Sequence, residues 1–145
     1  MASTTPAIDR VCPYEGMFLF PQSAAADLAA TVQHVRDILQ RGEAEVISLV
    51  KWDERRLAYD IKGNKRGLYL LAYFRAPTKN LARIERDCNL SELILRSMVL
   101  RADHVLPEHM LNPEGNQRLL DEIALRGQQA MDEEDSRGAG DAERE

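Results

Sequence analysis

Apolar and polar positions along this 145-residue chain follow two periods, and the switch between them marks out the elements. Tyr14-Glu15-Gly16-Met17-Phe18-Leu19-Phe20 is a short aromatic-rich run stopped by Pro21, the length and composition of a buried strand. Ser23 then stands as an N-cap for a helix to about Arg41. Leu28, Val32, Val35 and Leu39, spaced by three and four, give that helix one buried face, and Gly42 stops it. Residues 43–50 alternate as a strand, with Ala44, Val46, Ser48 and Val50 on one side and Glu43, Glu45, Ile47 and Leu49 on the other. The second side starts charged and turns apolar, which places this strand near a sheet edge. It runs through Trp52 into a long hairpin. Residues 57–61 and 68–74 form its arms around the basic, glycine-bearing turn Lys62-Gly63-Asn64-Lys65-Arg66-Gly67. Pro77 ends the hairpin, and Thr78 caps a second helix over about 79–88, with Leu81, Ile84 and Cys88 inward and Asn89 as its stop. Residues 94–101 form the last strand.

The order is β-α-β-β-α-β, which suits an α+β, ferredoxin-like split βαβ fold: a four-stranded antiparallel sheet with two helices on one face. The first and third strands are then central and need apolar residues on both sides. In the third strand, Leu68, Leu70, Ala72 and Phe74 are the compact aliphatic set assigned to the helices. Tyr69, Leu71 and Tyr73 fall on the open face. A contiguous apolar face of this kind has three explanations: partial cover by the tail, base stacking, or docking of another protein.

Residues 14–104 carry this pattern. Residues 1–13 hold Ser, two Thr and two Pro without a period and read as a flexible leader. Beyond Asp103 the pattern lapses into a tail over 105–145. A short helix fits 114–131, and the acidic, glycine-bearing end is expected to be disordered.

Charge sharpens the division. The whole chain carries −5, but residues 1–103 hold fifteen Lys/Arg against thirteen Asp/Glu, and residues 104–145 hold four against eleven. A near-neutral body thus carries an acidic tail, and the overall charge says little about the body's partners. Locally, residues 51–66 hold six Lys/Arg and three acids. Those charges suit either a solvated hairpin that blunts its own edge or a prong that touches phosphate.

Candidate catalytic chemistry is sparse. Cys12 and Cys88 are far apart with no CxxC, so free thiols in a reducing cytosol are expected. His34, His104 and His109 have no metal-ligand spacing, and no nucleophile elbow, P-loop or dinucleotide motif occurs. No metal, no cofactor and no enzymatic activity are expected. No signal peptide or membrane span is expected either. The third strand also fails as a stacking platform. Arg66-Gly67 match an RNA-recognition motif, but Leu68 and Leu70 occupy the stacking positions and only Tyr73 fits. Protein docking on the tyrosine face ranks above stacking.

Several stretches together resemble the bacterial small-subunit ribosomal protein conventionally numbered six. These are Tyr14-Glu15, Trp52 with Arg55-Arg56-Leu57-Ala58-Tyr59-Asp60-Ile61-Lys62, Gly67-x-Tyr69, and Ile94-x-Arg96-Ser97-Met98-Val99-x-Arg101. The likeness covers about 14–104. One departure is Asp53, where the family usually has glycine after the tryptophan. The resemblance implies a cytoplasmic, non-catalytic constituent of the small ribosomal subunit. It would bind the central domain of small-subunit rRNA together with the small-subunit protein numbered eighteen. Its implied phosphate contacts are Arg55, Arg56, Lys62, Lys65 and Arg66, with Arg96 and Arg101 on the last strand. Tyr69, Leu71 and Tyr73, with the tail, are the implied partner-docking residues. The alternative is a regulatory or small-ligand-binding module on the same fold, self-associating through its open face.

Overall fold

The computed structural model describes residues 10–142. The described residues fold as four strands and four α-helices: β1 (Val11–Pro21), α1 (Leu28–Arg41), β2 (Glu45–Ile61), β3 (Asn64–Pro77), α2 (Leu81–Leu90), β4 (Arg96–Arg101), α3 (Pro107–Leu111) and α4 (Pro113–Ala142). The strands form one sheet in the order β2-β3-β1-β4, with every pairing antiparallel. This is the expected split βαβ arrangement, with β1 and β3 central.

Core formation follows the strand alternation. Phe18, Phe20, Leu68, Leu70 and Phe74 have no solvent exposure and meet Val35 and Leu39 of α1 and Ile84 and Cys88 of α2. Both helices therefore cover one sheet face. At about 25 cal/mol per Å² of apolar area, this shared cluster dominates the stabilisation of the fold.

Several boundaries differ from expectation. Residues 11–13 are not leader: Val11, Cys12 and Pro13 pair with Pro77, Ala76 and Arg75. The 14-residue β3 offers a full-length ladder, and the Cys12 side chain is buried by joining it. The remaining leader, residues 1–9, lies outside the described residues. A 3₁₀ turn over Gln22–Asp27 precedes α1, so the cap is Asp27, not Ser23, and its carboxylate accepts from Ala30 N at 3.3 Å. The tight turn tucks Ala25 into the core. A second 3₁₀ turn, Thr78–Asn80, precedes α2. There Asn80 Nδ2 donates to Gly42 O at 2.9 Å, tying the start of α2 to the end of α1. Asn89 does not stop α2, which runs on to Leu90. The last strand begins at Arg96 instead of residue 94, although Ile94 is buried in the core.

β2 departs furthest from simple alternation. Register shifts lie between Val46 and Ser48, between Lys51 and Asp53, and between Arg56 and Ile61. The first shift makes Ser48, Leu49 and Val50 all buried in succession, so the two clean faces expected for residues 43–50 do not exist. Bulges of this kind bend and twist an edge strand.

The tail packs against that edge. Asn116 Oδ1 accepts from Leu49 N at 3.3 Å, and Leu119 is only 3% exposed within the core cluster. Lys51 Nζ lies 2.7 Å from Glu122 and 2.8 Å from Glu54, and Arg126 lies 2.8 Å from both acids. The helix extends beyond the expected end at 131, to Ala142. Its exposed side is laced by i,i+4 pairs such as Gln117–Asp121 and Gln128–Asp132.

Candidate RNA and partner interface

The cationic prong is built by a tighter turn than the sequence pattern implies. Ile61 pairs with Asn64, so only Lys62 and Gly63 form the loop, with φ of 49° and 80°. Positive φ at both central residues is the type I′ pattern that matches strand twist. Asn64 Nδ2 secures the turn by donating to Ile61 O at 3.2 Å and Lys62 O at 3.3 Å. Lys65 and Arg66, expected within the loop, are therefore strand residues. Arg66 stands directly opposite Arg56, and Arg55 opposite Gly67.

The seven basic candidates do not form one patch. Arg56, Lys62, Lys65 and Arg66 are exposed and have no ion-pair partner among the described residues. Arg55 is held by Asp53 at 2.7 Å and lies 4.5 Å over the Trp52 ring. The Asp53 hydrogen bond with Arg55 keeps that carboxyl below the usual aspartate range. Asp53 thus pairs with an arginine that the family resemblance implied for phosphate contact. Arg96 pairs with Leu19 on the open face and donates to Tyr59 OH at 2.6 Å, with its guanidinium 5.2 Å from that ring. Arg101 pairs with Tyr14, on the opposite face of the sheet from Arg96, and is bridged to Asp103 at 2.8 Å.

Tyr69, Leu71 and Tyr73 do share the open face, where they are half-buried. Trp52 meets Tyr69 edge-on, with centroids 5.5 Å apart. Tyr73 donates to Glu15 at 3.1 Å, and burial together with the Glu15 charge pushes its phenol above the usual range. Neighbouring strands extend this surface. Met17 opposes Leu71 on one side and Met98 on the other. Met98 and Leu100 are each about half exposed, at 52% and 51%.

The arm before the turn curls over this face. Three residues more are needed on β2 than on β3 between the Arg56–Arg66 pair and the turn, and the excess folds inward. Tyr59 consequently reaches Arg96 on the far edge strand. A cleft of about 440 Å³ remains beneath, floored by Met17, Leu19 and Met98 and walled by Leu57, Tyr59 and Tyr69. Trp52, Tyr59, Met17 and Met98 were not singled out for this face by sequence reasoning. The alternation Arg96-x-Met98-x-Leu100 was a legible signal for β4, but the curl that recruits Tyr59 depends on a bulge.

His34 is half-buried, with Nε2 2.7 Å from Ser91 Oγ, and burial lowers its pKa. Among the described residues no group of side chains is arranged to hold a metal, and no helix is long and apolar enough to cross a membrane.

The family model for ribosomal protein S6 matches residues 13–101, from the first strand to the last. The chain is 33% identical over 92 residues to the small ribosomal subunit protein bS6 of Campylobacter lari, covering 63% of this chain and 74% of the relative. It is also 33% identical over 89 residues to bS6 of Desulforamulus reducens, covering 61% of this chain and 94% of the relative. In fold it is similar to the crystal structure of 30S ribosomal protein S6 from Thermotoga maritima, with a TM-score of 0.60 over 69% of this chain and 95% of that one, at 24% identity. These relatives bear the name of a structural protein of the ribosome and not of an enzyme. The match takes in all four strands but for Val11 and Cys12, the cationic hairpin and both packed helices while leaving α4 outside it, and the chain belongs to the ribosomal protein S6 family of the small ribosomal subunit.

Proposed function

We propose that this protein binds the central domain of small-subunit rRNA jointly with the small-subunit protein numbered eighteen. The observation that carries this reading is the projecting hairpin, where Arg56, Lys62, Lys65 and Arg66 are exposed and lack acidic partners among the described residues. Such cations contact phosphate and fix orientation without reading sequence. Arg55, Arg96 and Arg101 are assigned a smaller part, since each is already engaged by Asp53, Tyr59 or Asp103. Tyr69, Leu71 and Tyr73, with the cleft beside them, supply the surface for the protein partner. The acidic tail suits a basic partner, whose charge would supplement the weakly cationic body.

The test is binding of the full chain, with and without the partner protein, to a central-domain RNA fragment across a salt series. Joint binding tighter than either protein alone is expected. The variant R56E/R66E should bind more weakly and show a shallower salt dependence. Unchanged affinity and slope would assign the hairpin charges to solvent. Self-association through the open face is the competing reading, favoured by the half-exposed Met98 and Leu100. Light scattering on the isolated protein separates them: a stable dimer lost on M98E would favour that alternative.

A further inference from the structure

We infer a second phosphate-binding surface on the outward line of α2, formed by Arg83 and Arg86 and continued by Arg10. The inference rests on the rRNA reading above and extends it to a part of the molecule remote from the hairpin.

Placement on the helix is the first argument. Ile84 and Cys88 are buried in the core, and Arg83 and Arg86 lie on the opposite side of the same helix. Residues three apart on a helix are neighbours, with Cβ atoms roughly 5–6 Å apart. The two side chains therefore start from neighbouring positions on the exposed side of the helix. They flank a shallow groove of about 450 Å³ completed by Ala82, Asp87 and Leu90.

Charge is the second argument. Neither Arg83 nor Arg86 has an ion-pair partner among the described residues. The nearby Asp87 faces Arg41 at 3.9 Å, and Glu85 lies on another side of the helix. Arg83 and Arg86 differ in this from Arg55, which Asp53 takes, and from Arg101, which Asp103 takes. Arg10 adds to the same band, because Thr78 N donates to Arg10 O at 2.7 Å and brings this exposed arginine beside the entry to α2.

Distance is the third argument. α2 begins just after the end of β3 that lies farthest from the turn. The 14 residues of β3 span roughly 45 Å at about 3.3 Å each. One phosphate group cannot reach both sites. The α2 line would therefore hold a separate RNA segment, so that the protein bridges two stretches of backbone instead of one.

The variant R83Q/R86Q tests this in the full chain, with the partner protein and the central-domain RNA. Neutralising two phosphate contacts should flatten the dependence of log affinity on log salt by roughly two. R83K/R86K keeps the point charges and should retain the wild-type slope. Single variants R83Q and R86Q, each expected to flatten the slope by about one, carry the test if the double variant does not fold. If R83Q/R86Q keeps the wild-type slope while R56Q/R66Q flattens it, the α2 surface is overturned and the hairpin reading stands. If neither variant alters binding, both fall.

Discussion

Asn116 of α4 accepts a hydrogen bond from the backbone N–H of Leu49 at 3.3 Å. A side chain on the tail thus does what a neighbouring strand would otherwise do for the edge of β2. Uncovered strand edges invite pairing with other chains, and a covering helix is one of the ways proteins suppress that. Removing the acceptor strands a partly buried donor, at a cost of about 1–3 kcal/mol. N116A should therefore lower stability by that amount and speed hydrogen exchange selectively at Leu49. Unchanged exchange at that amide would mean the tail does not guard the edge.

The ion network beside Asn116 gives the tail's docking a pH dependence. Burial would raise the Glu122 carboxyl, but the hydrogen bonds from Lys51 and Arg126 outweigh it and hold it below the usual glutamate range. Its contribution is present above the unfolded glutamate value of about 4.3 and is lost as pH falls through the lower folded value. Burial would lower Lys51, but Glu122 and Glu54 outweigh that and hold it above the usual lysine range. That contribution is present below about 10.4 and is lost as pH rises through the higher folded value. Thermal unfolding across pH should show full docking between these limits. E122Q should cost about 1–2 kcal/mol at neutral pH and flatten the acid limb. An acid limb identical to wild type would show that other carboxylates control it.

The fold was legible because its signals are local. The two-fold alternation of 68–74 and the three-four spacing of 28–39 name their buried faces directly, and both are buried as expected. The site was less legible, because what a charge does depends on neighbours brought in by tertiary structure. Arg55 looked like Arg56 in sequence, yet Asp53 engages one and leaves the other open. Tyr59 looked like a hairpin residue, yet a bulge carries it across the sheet to Arg96. The tail's apolar positions marked a helix but not its dock, since Leu119 is buried against a strand roughly seventy residues away in sequence.

Cys88 is on the buried face of α2 with its thiol pushed by burial to about 11, despite a hydrogen bond with Ser97 that opposes the rise. Thiolate is the reactive form, so this cysteine should be inert at neutral pH. Cys12 is equally covered, in the β1 ladder. A thiol-labelling reagent should modify neither residue in the native protein, and both after denaturation. Fast native labelling at Cys88 would mean that α2 opens readily, and the paired arginines on its outer side would then lack a fixed spacing.

Lys62 occupies the left-handed region at φ 49°, next to Gly63 at φ 80°. Asparagine tolerates that conformation better than lysine. K62N should therefore hold or raise stability by up to about 0.5–1 kcal/mol, while G63A should lower it by about 1–2 kcal/mol. The same K62N change removes one exposed cation from the prong. If the prong meets phosphate, K62N should flatten the salt dependence of RNA binding by roughly one while the melting temperature stays level or rises. Stability and binding moving in opposite directions cannot come from a weakened turn, so that outcome would assign Lys62 to the RNA contact. If binding is unchanged and only stability responds, Lys62 serves the turn alone and the contact lies with Arg56, Lys65 and Arg66.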